Sequence, residues 1–500
     1  MRSTIRLVGT AAVFFGALCG ARVVRARDLG DILVEKGLIT PQELAEVRAQ
    51  EQAEKAKRAP AAAAAPQAAP GTVTTTTSVP TSTTTTTTTT AAATAATDQS
   101  IKAAIAAKLP KWLDAFTPIG DIRTRYEGFW QDDVEARNRF RLRARLGFNM
   151  KLSDELNGTI RVASGNPDDP ISTNQTMDRT FSRKPFNLDL AYLQVKPGAT
   201  FHMKPGFLTI SGGKLPLNLL QRYSELVFDD DLTPEGAVET LTLVDRTSGT
   251  LRSLKVHAAQ WSVDEVADGA DPWMGGGQIV ADTSLGEDVE LLASFADYHW
   301  SDMNAVARRY LDPKSSSFNG RLQNSNSLRK NADGEVTGYA TNFNVLNAGA
   351  LLDFRVLGYP AGLYTDLAYN TQAGSRNFGF AIGAGVGNRT QNFYGKDYYH
   401  DALRDQGDWG VSYTFERIEQ NALVSIFGFS DLEYTNPGGS QRGATNVVAN
   451  ILRGDYVLLP HLQLTAKVLV INALDGSKSV VSLDGNPTLV RSQLDAQLTF

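Results

Sequence analysis

The residues of this chain that could do chemistry are arginines on alternate positions. Arg139, Arg141, Arg143 and Arg145 are separated by Phe140, Leu142 and Ala144, and Leu146 and Phe148 continue the apolar set. A period of two is the pattern of a β-strand, which sends the two sets to opposite faces of a sheet. Arg123 and Arg125 alternate with Ile122, Thr124 and Tyr126, and Arg161 alternates with Ile160 and Val162. Together these arginines would form one basic wall that raises the local concentration of anions. Alternation alone permits two readings. One is a soluble strand with a face on a core and a face in water. The other is a strand with one face in lipid and one in an aqueous lumen.

No catalytic pattern competes with this feature. The histidines His202, His257, His299, His400 and His461 are scattered, and there is no GxSxG, HExxH, Walker A or EF-hand spacing. Gly212-Gly213-Lys214 lacks phosphate-loop spacing, and Asp475-Gly476 and Asp484-Gly485 are turn residues. Catalytic residues, metal ligands and cofactors are therefore not expected. A net charge of −5 gives no global basic field for nucleic acid.

The elements that must carry the arginines occupy the C-terminal three quarters of the chain. The 500 residues, with 43 Gly, suffice for one large β domain and smaller parts. Residues 1–26 read as a signal peptide: Arg2 and Arg6 precede an apolar run from Leu7 to Cys19, and Val24-Arg25-Ala26 offers a cleavage site. Cys19 is the only cysteine, so the mature chain would carry no disulfide framework. Residues 27–57 carry helical periodicity broken at Gly37 and restarted at Thr40-Pro41-Gln42-Glu43, the signature of a helical hairpin. The string LGDILVEKGLITPQELAEV resembles a short segment at the front of type II secretion and pilus-assembly ATPases. It suits either docking or a solvated spacer. Residues 58–98, rich in Ala, Pro and Thr, cannot bury enough surface to fold and read as a disordered linker. Residues 99–118 read as an amphipathic helix through Ile101, Ile105, Leu109, Trp112, Leu113 and Phe116.

From Ile119 to Phe500 the pattern is that of about 16 strands, or 18 if residues 421–432 are also a full strand. Tight turns alternate with long polar loops such as 301–342, except that 390–407 is long where a short turn is expected. No stretch beyond the N-terminus approaches ~18 continuous apolar residues, so any spanning structure must be a closed barrel. Phe500 ends the chain, preceded at alternate positions by Leu498, Ala496 and Leu494. A terminal aromatic on such a strand resembles the signal read by outer-membrane assembly machinery. In a soluble protein a free apolar edge of this kind is an aggregation hazard. A lipid-facing arginine near the midplane costs roughly 2–4 kcal/mol, which fixes the register with arginine inward.

The segments GDIRTRYEGF, ARNRFRLRARLGF, RVASGNPDDPISTNQT and SRKPFNLDLAYLQVKP resemble the "putative porin" family of Gram-negative outer membranes. A weaker resemblance continues through GDWGVSYTFERIE to the last strand. It implies an all-β transmembrane antiparallel barrel over 119–500 that passes small hydrophilic solutes, with no named substrate. With the first strand running outward, 215–237 would be the external loop that general porins fold inward as a constriction. Glu225, Asp229, Asp230, Asp231 and Glu235 would then face the basic wall across the eyelet. The same acids could instead neutralise the arginines and hold the loop in place.

The expected protein is thus an outer-membrane porin with an N-terminal extension in the periplasm. Its partners would be outer-membrane lipid, the barrel-assembly machinery and small hydrophilic solutes. A homo-oligomer and a periplasmic partner for residues 28–57 are open. The alternatives are a structural outer-membrane anchor with a periplasmic docking arm, and an outer-membrane hydrolase.

Overall fold

The computed structural model describes residues 115–131, 134–267, 269–388, 405–433, 443–475 and 488–500. The signal peptide, helical hairpin, linker and most of the amphipathic helix lie outside the described residues, as does most of the connection 390–407.

Sixteen strands form the wall. They are β1 (Phe116–Gln131), β2 (Val134–Lys151), β3 (Leu156–Ser164), β4 (Phe186–Val195), β5 (Leu208–Lys214) and β6 (Glu235–Asp245). Next come β7 (Leu251–Ser262), β8 (Trp273–Ser284), β9 (Glu290–Ser301), β10 (Phe343–Val356) and β11 (Tyr359–Asn370). The last are β12 (Phe378–Gly387), β13 (Trp409–Ile418), β14 (Val447–Leu459), β15 (Leu462–Ala473) and β16 (Leu489–Thr499). Each is antiparallel to its neighbours, and β1 pairs with both β2 and β16, so the ring closes and leaves no edge. Residues 421–432 are not a further strand; they make two short 3-10 turns at Ser425–Phe427 and Ser430–Leu432. Ala422, Leu423, Val424, Ile426, Phe429 and Leu432 are all buried, so the segment has no face to give to lipid. β1 begins at Phe116, before the expected barrel boundary, and the Phe116 ring meets Phe148 of β2 edge-on at 6.3 Å.

Alternation places Asp121, Arg125, Glu127, Arg143 and Arg145 inside, while Ile122, Phe140, Leu146, Phe148 and Ile160 are exposed outside. The outward apolar set continues around the ring through Leu188, Ile279, Phe295, Leu363, Ile382, Leu452 and Val468. Exposed aromatics stand at both ends of this band: Trp273 and Tyr369 at one, Tyr359 and Tyr456 at the other. Such a band with aromatic girdles matches a barrel in a bilayer.

Most connections are short at the end that carries the C-terminus, such as 357–358 and 460–461, and most are long at the opposite end; 388–408, long at the first, and 132–133, short at the second, are exceptions. A buried apolar cluster fills the inside of that long-loop end. It joins inward residues of the strand ends, such as Trp261, Tyr298, Trp300 and Val447, to loop residues such as Leu226, Phe228, Leu423 and Phe429. Phe228 packs against Trp261 and Tyr298 at 5.5 and 5.3 Å, and Phe427 stacks on Trp300 at 5.3 Å. Part of the lumen is therefore occupied by packed loops.

Candidate pore constriction

Register brings like charges together before any partner is considered. Arg123 of β1 lies opposite Arg143 of β2, and Arg125 lies opposite Arg141. Directly opposed like charges destabilise a sheet unless acids intervene. They do so from three sources. β1 itself supplies Asp121 and Glu127, on the same face as Arg123 and Arg125. β16 supplies Asp495, opposite Arg125. The loops supply Asp231 and Asp431.

Every arginine of the expected wall has a carboxylate partner. Arg125 holds Asp495 at 2.7 Å, and Arg123 lies 3.8 Å from the same residue. Arg139 pairs with Glu127, and Arg141 lies 3.9 Å from it. Arg143 donates to Asp121 at 2.8 Å and lies 3.8 Å from Asp231, while Arg145 pairs with Asp231. Arg161 stands beside this group and pairs with Asp189 of β4 at 2.6 Å. Unassisted exposure to water is therefore not what makes the arginine ladder tolerable.

Of the five expected loop acids, only Asp231 meets the basic wall. It also accepts from the backbone N–H and the hydroxyl of Thr173, in the connection between β3 and β4. Asp229 ties the loop to the neighbouring one instead: its carboxylate accepts from the Ser430 N–H at 2.8 Å, and its own N–H donates to the Phe427 carbonyl. Asp230 pairs with Arg222 within the loop at 3.0 Å. Glu225 is buried and accepts from the Asp230 N–H at 3.1 Å. Glu235 is the first residue of β6, largely exposed and paired with Lys214.

Sequence reading missed Asp431 and Arg491, which are central to the seam. Arg491 of β16 is the largest fully buried side chain, and it donates to Glu127 at 2.9 Å and to Asp431 at 2.7 Å. Lys467 of β15 holds the other oxygen of Asp431 at 3.1 Å. The parity of β16 carried a signal for Arg491: Leu494, Ala496 and Leu498 face out, so Arg491, Gln493 and Asp495 face in. Asp431 had none, because its segment follows no strand period.

The loop 215–234 spans the lumen. Its Ser224 hydroxyl donates to Asp366 of β11 at 2.7 Å, and its Tyr223 ring lies on β10 where Gly349 leaves space. A Cβ at 349 would come within 2.1 Å of that ring. Seven residues on from Ser224, Asp231 reaches β2, which lies about half-way round the sixteen-strand ring from β10 and β11. The loop carboxylates feel opposite environments. Burial works against ionisation of Asp231, but the Arg145, Arg143 and Arg123 guanidiniums outweigh it and hold the carboxyl below the usual range. Burial also opposes Asp431, and Arg491, Lys467 and Arg125 outweigh it. Burial, with Asp230 and Asp229 adding to it, pushes Glu225 well above that range.

Phe500 sits at the closure seam. It exchanges two backbone hydrogen bonds with Gly120 of β1, both 3.0 Å, and its ring covers that glycine. Among the described residues, no cluster of His, Cys, Asp and Glu could hold a metal ion.

A closed sixteen-strand barrel with an apolar outer belt, a charged interior and a loop laid across its bore is the architecture of an outer-membrane diffusion channel. The sequence profile of the family described as "putative porin" matches residues 130–484. The chain belongs to that family and is an outer-membrane porin, a passive channel for small hydrophilic solutes. No curated protein matches the sequence. Among solved structures, Pseudomonas putida OprB at high pH aligns at 10% identity over 78% of this chain and 96% of its own, with a TM-score of 0.47. Salmonella typhi OmpF, solved with daunomycin, aligns at 10% identity over 77% and 98%, with a TM-score of 0.42. Vibrio cholerae OmpT, in a trimer form, aligns at 12% identity over 77% and 100%, with a TM-score of 0.41.

Proposed function

We propose that the seam of β16, β1 and β2, together with the crossing loop, forms the selective eyelet of this porin and favours anions. The observation that carries this is the contact of Asp231 with Arg143 and Arg145, which brings the loop against the basic wall. The seam holds eight cations (Arg123, Arg125, Arg139, Arg141, Arg143, Arg145, Arg491 and Lys467) and five carboxylates (Asp121, Glu127, Asp231, Asp431 and Asp495), so eight less five leaves a surplus of three positive charges. In a narrow bore with low-dielectric walls this surplus concentrates anions. The Debye length is about 10 Å at 0.1 M salt, so the preference is strongest at or below that concentration. The test is the zero-current potential across a planar bilayer under a salt gradient. Replacing Arg141 and Arg143 by Gln should move it toward cations while the barrel still folds. An unmoved potential at 0.1 M salt takes these residues out of the conduction path.

The same reading places the N-terminal extension in the periplasm, with residues 28–57 free to dock a partner there. It takes Phe500 as the residue read by the assembly machinery. Deletion of Phe500 should lower the amount of assembled barrel in the outer membrane, and unchanged assembly would reject that role. The protein acts as a channel with no chemical step of its own; turnover of lipid or peptide by the purified barrel would overturn that.

A further inference from the structure

A polar recess at the long-loop end belongs to neither the seam nor the crossing loop. The hairpin of Leu328–Lys330 and Val336–Tyr339, the turn between β11 and β12, and Asn421 enclose a cavity of about 440 Å³. That volume is in the range of small-molecule sites. Its lining holds two guanidiniums, Arg329 and Arg376, with hydroxyl and amide side chains, and no carboxylate. Among the described residues neither arginine forms an ion pair, in contrast to every arginine of the seam. Arg376 gives one N–H to Gln420, and Arg329 reaches only Asn304 at 3.3 Å. Each therefore keeps donors aimed at no anion.

One further observation points to a ligand. Arg376 has a φ of 51°, a left-handed conformation that non-glycine residues seldom adopt, and its carbonyl is held by the Asn421 N–H at 2.7 Å. Backbone strain of this kind persists where the surroundings enforce it, commonly at sites that clamp a ligand.

We infer that this recess binds an anionic, polyhydroxylated solute of monosaccharide size, a sugar acid or sugar phosphate, at the mouth of the channel. Arg329 and Arg376 take the carboxylate or phosphate, and hydroxyl and amide groups such as Ser327, Thr341 and Asn342 take the sugar hydroxyls. The inference rests on the porin reading, because it makes the recess a collecting site ahead of the eyelet. The shared chemistry of anionic sugars also occurs in lipopolysaccharide; we assign the recess to the free solute.

The test is calorimetric titration of the full-length protein in detergent with galacturonate, glucose 6-phosphate, neutral glucose and purified lipopolysaccharide. Single-channel conductance in KCl runs in parallel. Both anionic sugars should bind, with glucose about tenfold weaker, as the loss of charge-assisted contacts implies. Arg329→Gln and Arg376→Gln should each weaken anionic-sugar binding about fivefold or more at unchanged KCl conductance. Arg329 is exposed, so its replacement leaves the fold intact even if the strained turn at 376 does not tolerate change. Equal affinity for glucose, affinity undiminished in both variants, or binding of lipopolysaccharide alone would each overturn the site. A protein that conducts KCl but binds no sugar overturns the recess and leaves the porin; one that binds sugar but never conducts overturns the porin reading.

Discussion

The wall of β16, β1 and β2 and the wall of β9, β10 and β11 grip the same loop with different chemistry. On the first, Asp231 of that loop and Asp431 of the neighbouring loop enter a field of guanidiniums and are held by ion pairs. On the second, Asp366 takes its hydrogen bonds from the Ser224 hydroxyl and the Asn347 amide, both neutral and both 2.7 Å long. Tyr223 and Phe228 add apolar contact there, on Gly349 and against Tyr298. One end of the loop is therefore latched by charge and the other seated by shape and neutral hydrogen bonds. The latched end should respond to salt, pH and charge substitution, and the seated end to packing.

The largest effect is expected from breaking one member of the latch and comparing it with the seat. Arg491→Met takes from Glu127 and Asp431, both nearly inaccessible, their most buried cation and should cost about 3 kcal/mol. Asp366→Asn keeps an acceptor for Ser224 and should cost only about 1 kcal/mol. The temperature at which the folded band is lost on cold SDS gels reads both, and equal falls would erase the distinction between the walls.

Next comes release of the latch. Asp231→Asn with Asp431→Asn raises the surplus at the seam from three positive charges to five, since two of its five carboxylates are lost. Single-channel conductance should rise and the zero-current potential should move toward anions. A channel indistinguishable from wild type in both respects means that the loops do not bound the conducting path.

The smallest effect is that of pH. Asp231 and Asp431 have carboxyl pKa values held below the ordinary range, because their arginine partners outweigh burial. A depressed folded-state value gives stability that is complete above the unfolded value, about 4, and is lost as pH falls through the folded one. Conductance should thus stay level from neutral pH down to about 4 and change only in stronger acid. A transition well above the ordinary carboxylate range would point to Glu225, whose carboxyl is pushed the other way.

Much of the barrel was legible because its wall obeys one local rule. Phe140, Leu142, Ala144 and Leu146 declare their face without reference to any other strand, and so do the arginines between them. The closure at Phe500 could be read for the same reason. The contents of the lumen could not. Residues 421–432 are apolar enough to suggest a strand, but their burial is against Trp300 and the crossing loop, which no local period encodes. The partners of the loop acids could not be read on similar grounds. Asp229, Asp230 and Asp231 are adjacent in sequence, yet backbone turns send them to Ser430, Arg222 and Arg145 respectively. Asp121 and Glu127 share parity with Arg123 and Arg125, and could have been found from the sequence.

The pairing of β1 with β16 has a consequence for the order in which the molecule is made. Arg125 meets Asp495 and Glu127 meets Arg491 across separations of 370 and 364 residues, so these ion pairs form only when the last strand arrives. Contacts of such sequence separation are late events in folding. Until then Arg123 and Arg125 of β1 lack Asp495, and Glu127 lacks its most buried partner. A nascent barrel is thus electrostatically unfinished along the line where it must still be joined. Closing the cylinder, neutralising its interior and drawing Asp431 onto Arg491 become one event, set by the arrival of the last strand against the first.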